Sequence, residues 1–307
     1  MMSIDGYSLL ASSVAAIVAR LCTHPIDTIK TRLQVAPPSN NISKNAWLKE
    51  VILQQSAQTP LRPASILSLY RGLPVTLLFS VPALSVYLSC YESTKTWLHI
   101  NTTSMPRDAM INHVISGAVA ELAAGTLFTP MEVLKNRLQT EQRKQKGTSA
   151  SALAQIVWNK EGIRGFFRGY GMGLAVFMPH TVIYFVTYEK LKGQAAAMLK
   201  KDSDLGQFPF SVYLVCSGVA SAAGIIVSTP LDVIKTRWQV SAAEEGTLFR
   251  KGPVAIACHL WLNEGGWRGF FRSLGARIAW GLPTTMISMS VFESLKDLRG
   301  RHLKNSV

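Results

Sequence analysis

The chain reads PIDTIKTRLQ at residues 25–34, PMEVLKNRLQ at residues 130–139 and PLDVIKTRWQ at residues 230–239. Each copy places an acid two residues after the proline, then Lys, Arg and Gln at the same offsets. The prolines are 105 residues apart (130 − 25) and then 100 residues apart (230 − 130). Three such matches at nearly even spacing in 307 residues indicate a triplicated module. We predict repeats at residues 1–105, 106–206 and 207–307.

The composition favours a membrane protein. Hydrophobic residues make up 48% of the chain, charged residues only 16%, and the mean hydropathy is +0.19. A helix needs about 20 residues to cross a bilayer, and uncharged stretches of that length occupy residues 72–91, 169–188 and 208–231. Weaker spans occupy residues 6–29 and 111–134, which contain charged residues, and residues 278–292, which are fewer than 20. We therefore predict an all-α protein with six transmembrane helices rather than a soluble helical domain.

Each repeat consists of a span, a polar loop with a short helix, and a second span. We predict the loop helices at residues 46–55, 151–161 and 253–264. Two spans return the chain to its starting side, so the repeats share one orientation and form a pseudo-threefold barrel. The net charge of +14 could suggest nucleic acid, but the basic residues lie at the span ends, beside lipid headgroups. No Arg- and Ser-rich leader precedes the first span, so we expect internal targeting signals.

Charged residues recur in both spans of every repeat. The second span ends in the pattern aromatic-acid-x-x-Lys, which begins at Tyr91, Tyr188 and Phe292. An acid and a lysine three apart could simply pair along one helix, which contributes a few tenths of a kcal/mol. Threefold symmetry would instead let each acid reach the lysine of the next repeat. The first-span ring then contains Asp27, Lys30, Glu132, Lys135, Asp232 and Lys235, and the second-span ring contains Glu92, Lys95, Glu189, Lys192, Glu293 and Lys296.

Two rings that are not closed together would act as the two gates of an alternating-access transporter. Partly hydrated ion pairs contribute only about 0–1 kcal/mol each, so a bound ligand could shift the balance between the two states. No nucleophile–base arrangement, metal-ligand spacing or phosphate-binding loop in its proper context is present, and we predict that the protein is not an enzyme.

These motifs resemble the mitochondrial carrier family over the whole chain. The resemblance implies a solute carrier of the mitochondrial inner membrane that functions as a monomer, with both termini on the cytoplasmic side. It makes the first-span ring the matrix gate, the second-span ring the cytoplasmic gate, and the loop helices matrix helices. It implies matrix-gate braces at Gln34, Gln139 and Gln239 and cytoplasmic-gate braces at Tyr91 and Tyr188. It also implies structural cardiolipin, bound at Arg71, Gly72, Arg168, Gly169 and Arg272. No other cofactor and no metal are expected.

The sequence departs from the family pattern at several places. Phe292 replaces the third tyrosine brace, and Ser273 replaces the third cardiolipin-site glycine. The loop Glu-Gly pair occurs at residues 161–162 and 264–265 but is missing from repeat 1. Family contact points lie about three residues before the second-span prolines, here Phe79, Val176 with Phe177, and Trp280. All four are apolar, whereas anion carriers generally place Arg or Lys there.

Charge near the membrane centre comes from Arg20, Glu121 and His180. One cation, one anion and an aromatic surround favour a zwitterionic or cationic ligand, of a cofactor-like or amino-acid-derived kind. Each residue also has a structural interpretation. Arg20 could pair with Glu121 or with the end of a helix. Glu121 could form a hydrogen bond between two packed helices, or could couple transport to protons. His180 could be a packed polar residue, and the aromatic residues could line the cavity without contacting a substrate. The exact substrate, exchange versus uniport, and proton coupling stay open. An anion carrier or a non-transporting scaffold is the alternative function.

Overall fold

The computed structural model describes residues 6–37, 43–53, 67–102, 109–140, 149–199, 210–241 and 252–305. Within these ranges every regular element is helical. The six long helices are α1 (Gly6–Val35), α3 (Leu73–Asn101), α4 (Met110–Thr140), α7 (Tyr170–Leu199), α8 (Phe210–Ser241) and α11 (Leu274–Asn305). The shorter ones are α2 (Lys44–Leu53), α5 (Ala150–Glu161), α6 (Ile163–Phe166), α9 (Pro253–Asn263) and α10 (Trp267–Phe271), with a 3₁₀ turn at Ser68–Tyr70. The helical prediction is confirmed.

Four segments of the described chain are long and apolar enough to cross a membrane, at residues 68–101, 110–140, 163–198 and 214–241. At most 39% of the most apolar window in any of these spans is buried within the protein, so most of its side chains are at least partly accessible. Accessible apolar helices of this length are suited to a lipid bilayer. The first and last long helices, α1 and α11, pack against each other.

The long helices form a closed ring in the order α1, α3, α4, α7, α8 and α11, and α11 returns to α1. The tightest neighbours belong to different repeats: α3 packs on α4, α7 on α8, and α11 on α1. The first helices of the three repeats, α1, α4 and α8, also contact one another. Because these helices carry the repeated charged motif, their contact brings the three copies together.

Serine side chains cap the starts of two loop helices, α5 and α2. The hydroxyl of Ser149 accepts a hydrogen bond from the backbone N–H of Ala152 (3.2 Å), so α5 begins at residue 150. The hydroxyl of Ser43 accepts in the same way from the backbone N–H of Ala46 (3.3 Å). Because of this cap, α2 starts two residues before the predicted position and ends at Leu53.

Candidate functional site

Three ion pairs join the repeats where α1, α4 and α8 meet. Lys135 Nζ lies 2.5 Å from Asp27 Oδ2, Lys235 Nζ lies 2.6 Å from Glu132 Oε2, and Lys30 Nζ lies 3.3 Å from Asp232 Oδ2. Each acid therefore contacts the lysine of the following repeat rather than the lysine three residues away on its own helix. The first-span ring is closed around all three repeats in this structure.

The glutamine at the end of each motif donates to the acid of another repeat. Gln34 Nε2 lies 2.7 Å from Asp232 Oδ2, Gln239 Nε2 lies 3.2 Å from Glu132 Oε2, and Gln139 Nε2 lies 3.4 Å from Asp27 Oδ2. All three glutamines are at most 1% exposed. Hydrogen bonds to a charged acceptor in a buried place are stronger than ordinary ones, so these bonds reinforce the ring.

The ring is not uniform. Asp232 Oδ2 accepts three donors at once, because Arg277 Nε also lies 3.3 Å away, beside Lys30 and Gln34. Arg277 is further held by the hydroxyl oxygens of Thr229 (3.0 Å) and Ser228 (3.3 Å) on α8. The junction between the first and third repeats thus has the longest lysine–acid distance and an additional cation.

A second layer of contacts uses the arginine of each motif, a role that the spacing of the motif alone did not predict. Each guanidinium Nε donates to the backbone oxygen of a glutamine in another repeat: Arg32 to Gln139 (2.9 Å), Arg137 to Gln239 (3.0 Å) and Arg237 to Gln34 (2.7 Å). The recurrence of Arg at a fixed offset in the motif was the signal that could have revealed this layer.

Two of these arginines also clamp their loop helix through the Glu-Gly pair. Arg137 donates to both carboxylate oxygens of Glu161 (2.9 and 3.1 Å), and Arg237 forms the same bidentate pair with Glu264. Both members of each pair have side chains that are at most 6% exposed. Bidentate arginine–carboxylate pairs combine geometric specificity with strength, so they fix α5 and α9 against α4 and α8.

The first repeat, which has no Glu-Gly pair, satisfies its arginine differently. The guanidinium of Arg32 is 3% exposed and donates to the backbone oxygens of Ile52 and Ser68 (3.0 Å to Ser68). The Ser68 hydroxyl accepts a further bond at 3.2 Å. Carbonyl oxygens here replace the carboxylate that the other two repeats use.

The surroundings of the Glu264 clamp shift the pKa of its carboxyl group. Burial alone would raise the pKa of the Glu264 carboxyl. Hydrogen bonds and charge from Arg237, with the charge of Arg272 (Nη2 to Oε2 3.0 Å), outweigh burial and lower the pKa below its usual range. The carboxylate is therefore held in its charged form.

A cavity of about 240 Å³ lies immediately beside the first-span ring. Three residues that the sequence predicted for substrate contact line it: Arg20 on α1, Glu121 on α4 and Trp280 on α11. Five members of the first-span ring line it as well, namely Asp27, Lys30, Glu132, Lys135 and Lys235. Arg20 and Glu121 make no ion pair or hydrogen bond, with each other or with any other side chain that the structure describes. Arg20 and Glu121 are thus a cation and an anion of the cavity that lack a direct ion-pair partner among the described side chains.

The other predicted contact residues lie elsewhere. Phe79 packs against the buried cluster that includes Val75 and Met131, and the Phe177 ring covers Gly117 of α4. His180 lies against Gly224 of α8, where an added Cβ would be 2.9 Å from the His180 backbone oxygen. These three residues and Val176 are not among those lining the cavity. Their predicted substrate contact remains a prediction.

The second-span ring is only partly within the described residues. The side chains of Glu92, Lys95, Glu189 and Lys192 are described, whereas those of Phe292, Glu293 and Lys296 lie outside the described part. Of the two predicted braces, the Tyr91 hydroxyl lies 2.5 Å from His113 Nδ1. The ring of Tyr188 stacks on that of Tyr184, with centroids 5.9 Å apart. Closure of this ring remains a prediction.

Two of the predicted lipid-binding steps contain a glycine with a left-handed backbone. Gly72 and Gly169 both have φ near +85° (+84° and +85°) just before α3 and α7. An added Cβ would lie 3.3 Å from the backbone oxygen of Lys135 at Gly72, and 3.2 Å from Gln239 Cγ at Gly169. Both conformation and close approach therefore require glycine. In the third repeat, Ser273 is fully buried.

Two arginines of these steps also contact the carboxylates of the Arg–Glu clamps. Arg168 Nη2 lies 3.3 Å from Glu161 Oε2, and Arg272 contacts Glu264 in the same way. Arg71 offers its backbone oxygen to His24 Nε2 at 3.0 Å. Binding of a lipid phosphate at Arg71, Arg168 and Arg272 remains a prediction.

Comparison with known proteins gives one consistent result. The family model for mitochondrial carrier proteins matches residues 6–102, 106–197 and 206–303. An uncharacterized mitochondrial carrier of Schizosaccharomyces pombe is 35% identical, over 95% of this chain and 98% of the relative. Mitochondrial substrate carrier family protein E of Dictyostelium discoideum is 30% identical over 94% of this chain and 95% of the relative. Mitoferrin-1 of Rattus norvegicus is 30% identical over 97% and 85%, respectively.

Proposed function

The chain belongs to the mitochondrial carrier protein family, a family of transporters of the mitochondrial inner membrane and not of enzymes, and from this premise we propose an alternating-access carrier for a zwitterionic or cationic small molecule. The first-span ring is the matrix gate and the second-span ring is the cytoplasmic gate. Both termini lie on the cytoplasmic side, and the protein functions as a monomer in a bilayer that contains cardiolipin.

The gate assignment is supported by the way the first-span ring is built. Its three ion pairs each join different repeats, so the ring can open only if α1, α4 and α8 separate. Taking both charges of a buried pair out of water costs free energy that offsets much of their attraction, which keeps the opening cost within reach of ligand binding. The second-span ring closes as the first opens, and the ligand then leaves toward the matrix.

The ligand assignment rests on Arg20 and Glu121. Two opposite charges that face one cavity without pairing each leave a desolvated group that a ligand can satisfy. A zwitterion satisfies both groups at once: its carboxylate takes the Arg20 guanidinium and its ammonium takes the Glu121 carboxylate. The indole of Trp280 lines the same cavity and adds an aromatic face for a cationic or planar group.

A thermal-shift panel on the purified protein tests the ligand class. Amino acids, sulfonium and thiamine-type cofactors, carboxylates and nucleotides are compared at equal concentration, because a ligand at 100 times its Kd stabilises the folded protein by about 2.7 kcal/mol. Compounds that raise Tm are then tested for uptake into liposomes. We expect zwitterions or organic cations to raise Tm and to be taken up.

Charge-neutral variants locate the site. Arg20→Gln and Glu121→Gln should each abolish uptake of the selected compound and its thermal shift, while the protein remains folded. Arg164→Gln and Glu50→Gln are the matched controls, since both residues are exposed and lie outside the cavity. Uptake that survives both cavity changes would remove Arg20 and Glu121 from the site. A carboxylate or nucleotide as the only stabilising compound would overturn the ligand class.

One alternative cargo deserves a place in the panel. Several relatives carry the name mitoferrin, and ferrous iron should therefore be assayed beside the organic solutes. Within the described residues, no group of three or more His, Cys, Asp or Glu side chains is arranged to hold a metal ion. Uptake of iron that survives Arg20→Gln would favour this alternative over the zwitterion.

A further inference from the structure

The gate residue Lys30 has two partners. Its ammonium lies 3.3 Å from Asp232 Oδ2 and also 4.8 Å from the centre of the Trp280 ring. A cation at this distance from an indole face is attracted by the ring quadrupole. Lys30 and Trp280 both line the cavity beside the first-span ring. Lys30 therefore lies against an aromatic residue that lines the cavity, as well as beside its acid.

The other two gate lysines are bound more closely to their acids. Lys135 and Lys235 lie 2.5 and 2.6 Å from Asp27 and Glu132. Among the described residues, an aromatic ring lies under Lys30 alone of the three. At the position matching Trp280 in the first repeat, Phe79 packs into an apolar cluster. The arrangement is specific to the junction between α1 and α11.

Loss of Lys30 would not leave its acid uncompensated. Asp232 Oδ2 would keep the Arg277 guanidinium at 3.3 Å and the Gln34 amide at 2.7 Å. Removing one partner of a buried pair is costly mainly when the remaining charge is left alone. Of the three gate lysines, Lys30 can therefore move away from its acid at the smallest cost.

We infer that Trp280 is a positioning residue for Lys30, and that a ligand cation which takes the Trp280 face displaces Lys30 and opens the matrix gate first between repeats 1 and 3. The ring face accommodates one cation, and a second positive charge beside Lys30 is repelled. This inference gives the cationic group of the proposed ligand a definite role. Displacement of Lys30 by a ligand cation rests on the proposed function, whereas the positioning of Lys30 by Trp280, which we call the link, does not.

A double-mutant cycle tests the link without any ligand. Trp280→Leu and Lys30→Gln should each lower Tm, but the double variant should lose less than the sum, by about 2 °C or more. Lys135→Gln is the matched control: it breaks another pair of the same ring, and its Tm loss should add to that of Trp280→Leu within about 1 °C. Additive losses in both cycles would overturn the positioning role.

Competition is tested with tetramethylammonium, which has no hydrogen-bond donor and binds only through charge and aromatic faces. Its half-saturating concentration in a thermal-shift titration should fall about threefold or more in Lys30→Gln and stay unchanged in Lys135→Gln. Trp280→Leu should abolish the shift in Tm. Sodium chloride at the same concentration is the control for ionic strength. The same half-saturating concentration in Lys30→Gln and the unaltered protein, or the absence of any shift in both, would overturn the displacement. An anionic substrate in the liposome assay would instead overturn the proposed function and leave the link intact.

Discussion

The clamp between Arg237 and Glu264 allows a quantitative prediction for the change Glu264→Gln. The substitution keeps the shape of the side chain but removes its charge. Arg237 then retains one acceptor oxygen where it had two, and its second Nη group faces an amide NH₂. Arg272, 3.0 Å from the same carboxylate, loses its counter-charge as well. Both members of the Arg237–Glu264 pair have side chains only 4% exposed, so water cannot replace the lost charge.

The expected magnitude follows from this burial. Breaking a buried ion pair by neutralising one partner costs about 3–5 kcal/mol. In a protein of this size 1 kcal/mol changes Tm by about 2 °C, so Tm should fall by about 6–10 °C. The measurement is thermal unfolding of the purified protein in detergent at neutral pH.

Two further variants control the interpretation. Glu161→Gln breaks the corresponding clamp of Arg137 in the second repeat and should lower Tm by a similar amount. Glu50→Gln changes an exposed acid on α2 of the first repeat and should change Tm by no more than about 1 °C. If Glu264→Gln lowers Tm no more than Glu50→Gln, the clamp does not hold α9 to α8, and the reasoning is refuted.

Four other predictions concern separate parts of the molecule. The pKa of Glu264 is lowered in the folded protein, so its carboxylate stabilises the fold only while it is charged. The Tm difference between the unaltered protein and Glu264→Gln should therefore be full above about pH 5 and vanish as pH falls through the folded pKa. A Tm difference that grows in acid would contradict this prediction. Gln239→Ala removes a buried donor to the gate acid and should lower Tm by about 3–6 °C in the same assay. Gly224→Ala places a Cβ 2.9 Å from the His180 backbone oxygen and should destabilise the α7–α8 contact by about 1–3 kcal/mol, seen as a lower Tm. Phe292→Tyr restores a hydroxyl that the family resemblance implies as a brace and should raise Tm, and an unchanged or lower Tm would count against that assignment.

Much of the fold could be predicted because it repeats. A single match to the motif around Pro25 has little meaning, but three copies indicate symmetry, and symmetry predicts which side chains meet. Asp27 lies far from Lys135 in the sequence, yet their contact at 2.5 Å follows from placing equivalent helices around one axis. The closed ring of six long helices follows from the same argument.

The details that symmetry does not determine were harder to predict. Trp280 and Phe79 occupy matching positions, but only Trp280 lines the cavity, because Phe79 finds an apolar cluster to pack against. That outcome depends on the three-dimensional surroundings of each residue, which one sequence does not reveal. The sequence showed Arg237 as a recurring residue. Predicting its ion pair would have required knowing that the chain brings Glu264 back to the end of α8.

The carbonyl oxygens around Arg32 have a consequence for mutational tolerance. A carboxylate acceptor is lost when its residue is substituted, so a single change at Glu161 or Glu264 breaks the attachment of a loop helix in the second or third repeat. A backbone carbonyl is present whatever the side chain. Arg32 is attached to the last turn of α2 through Ile52 and to the segment before α3 through Ser68. Substitutions at positions 52 and 68 keep these carbonyl acceptors, so the attachment in the first repeat tolerates sequence change that the other two do not.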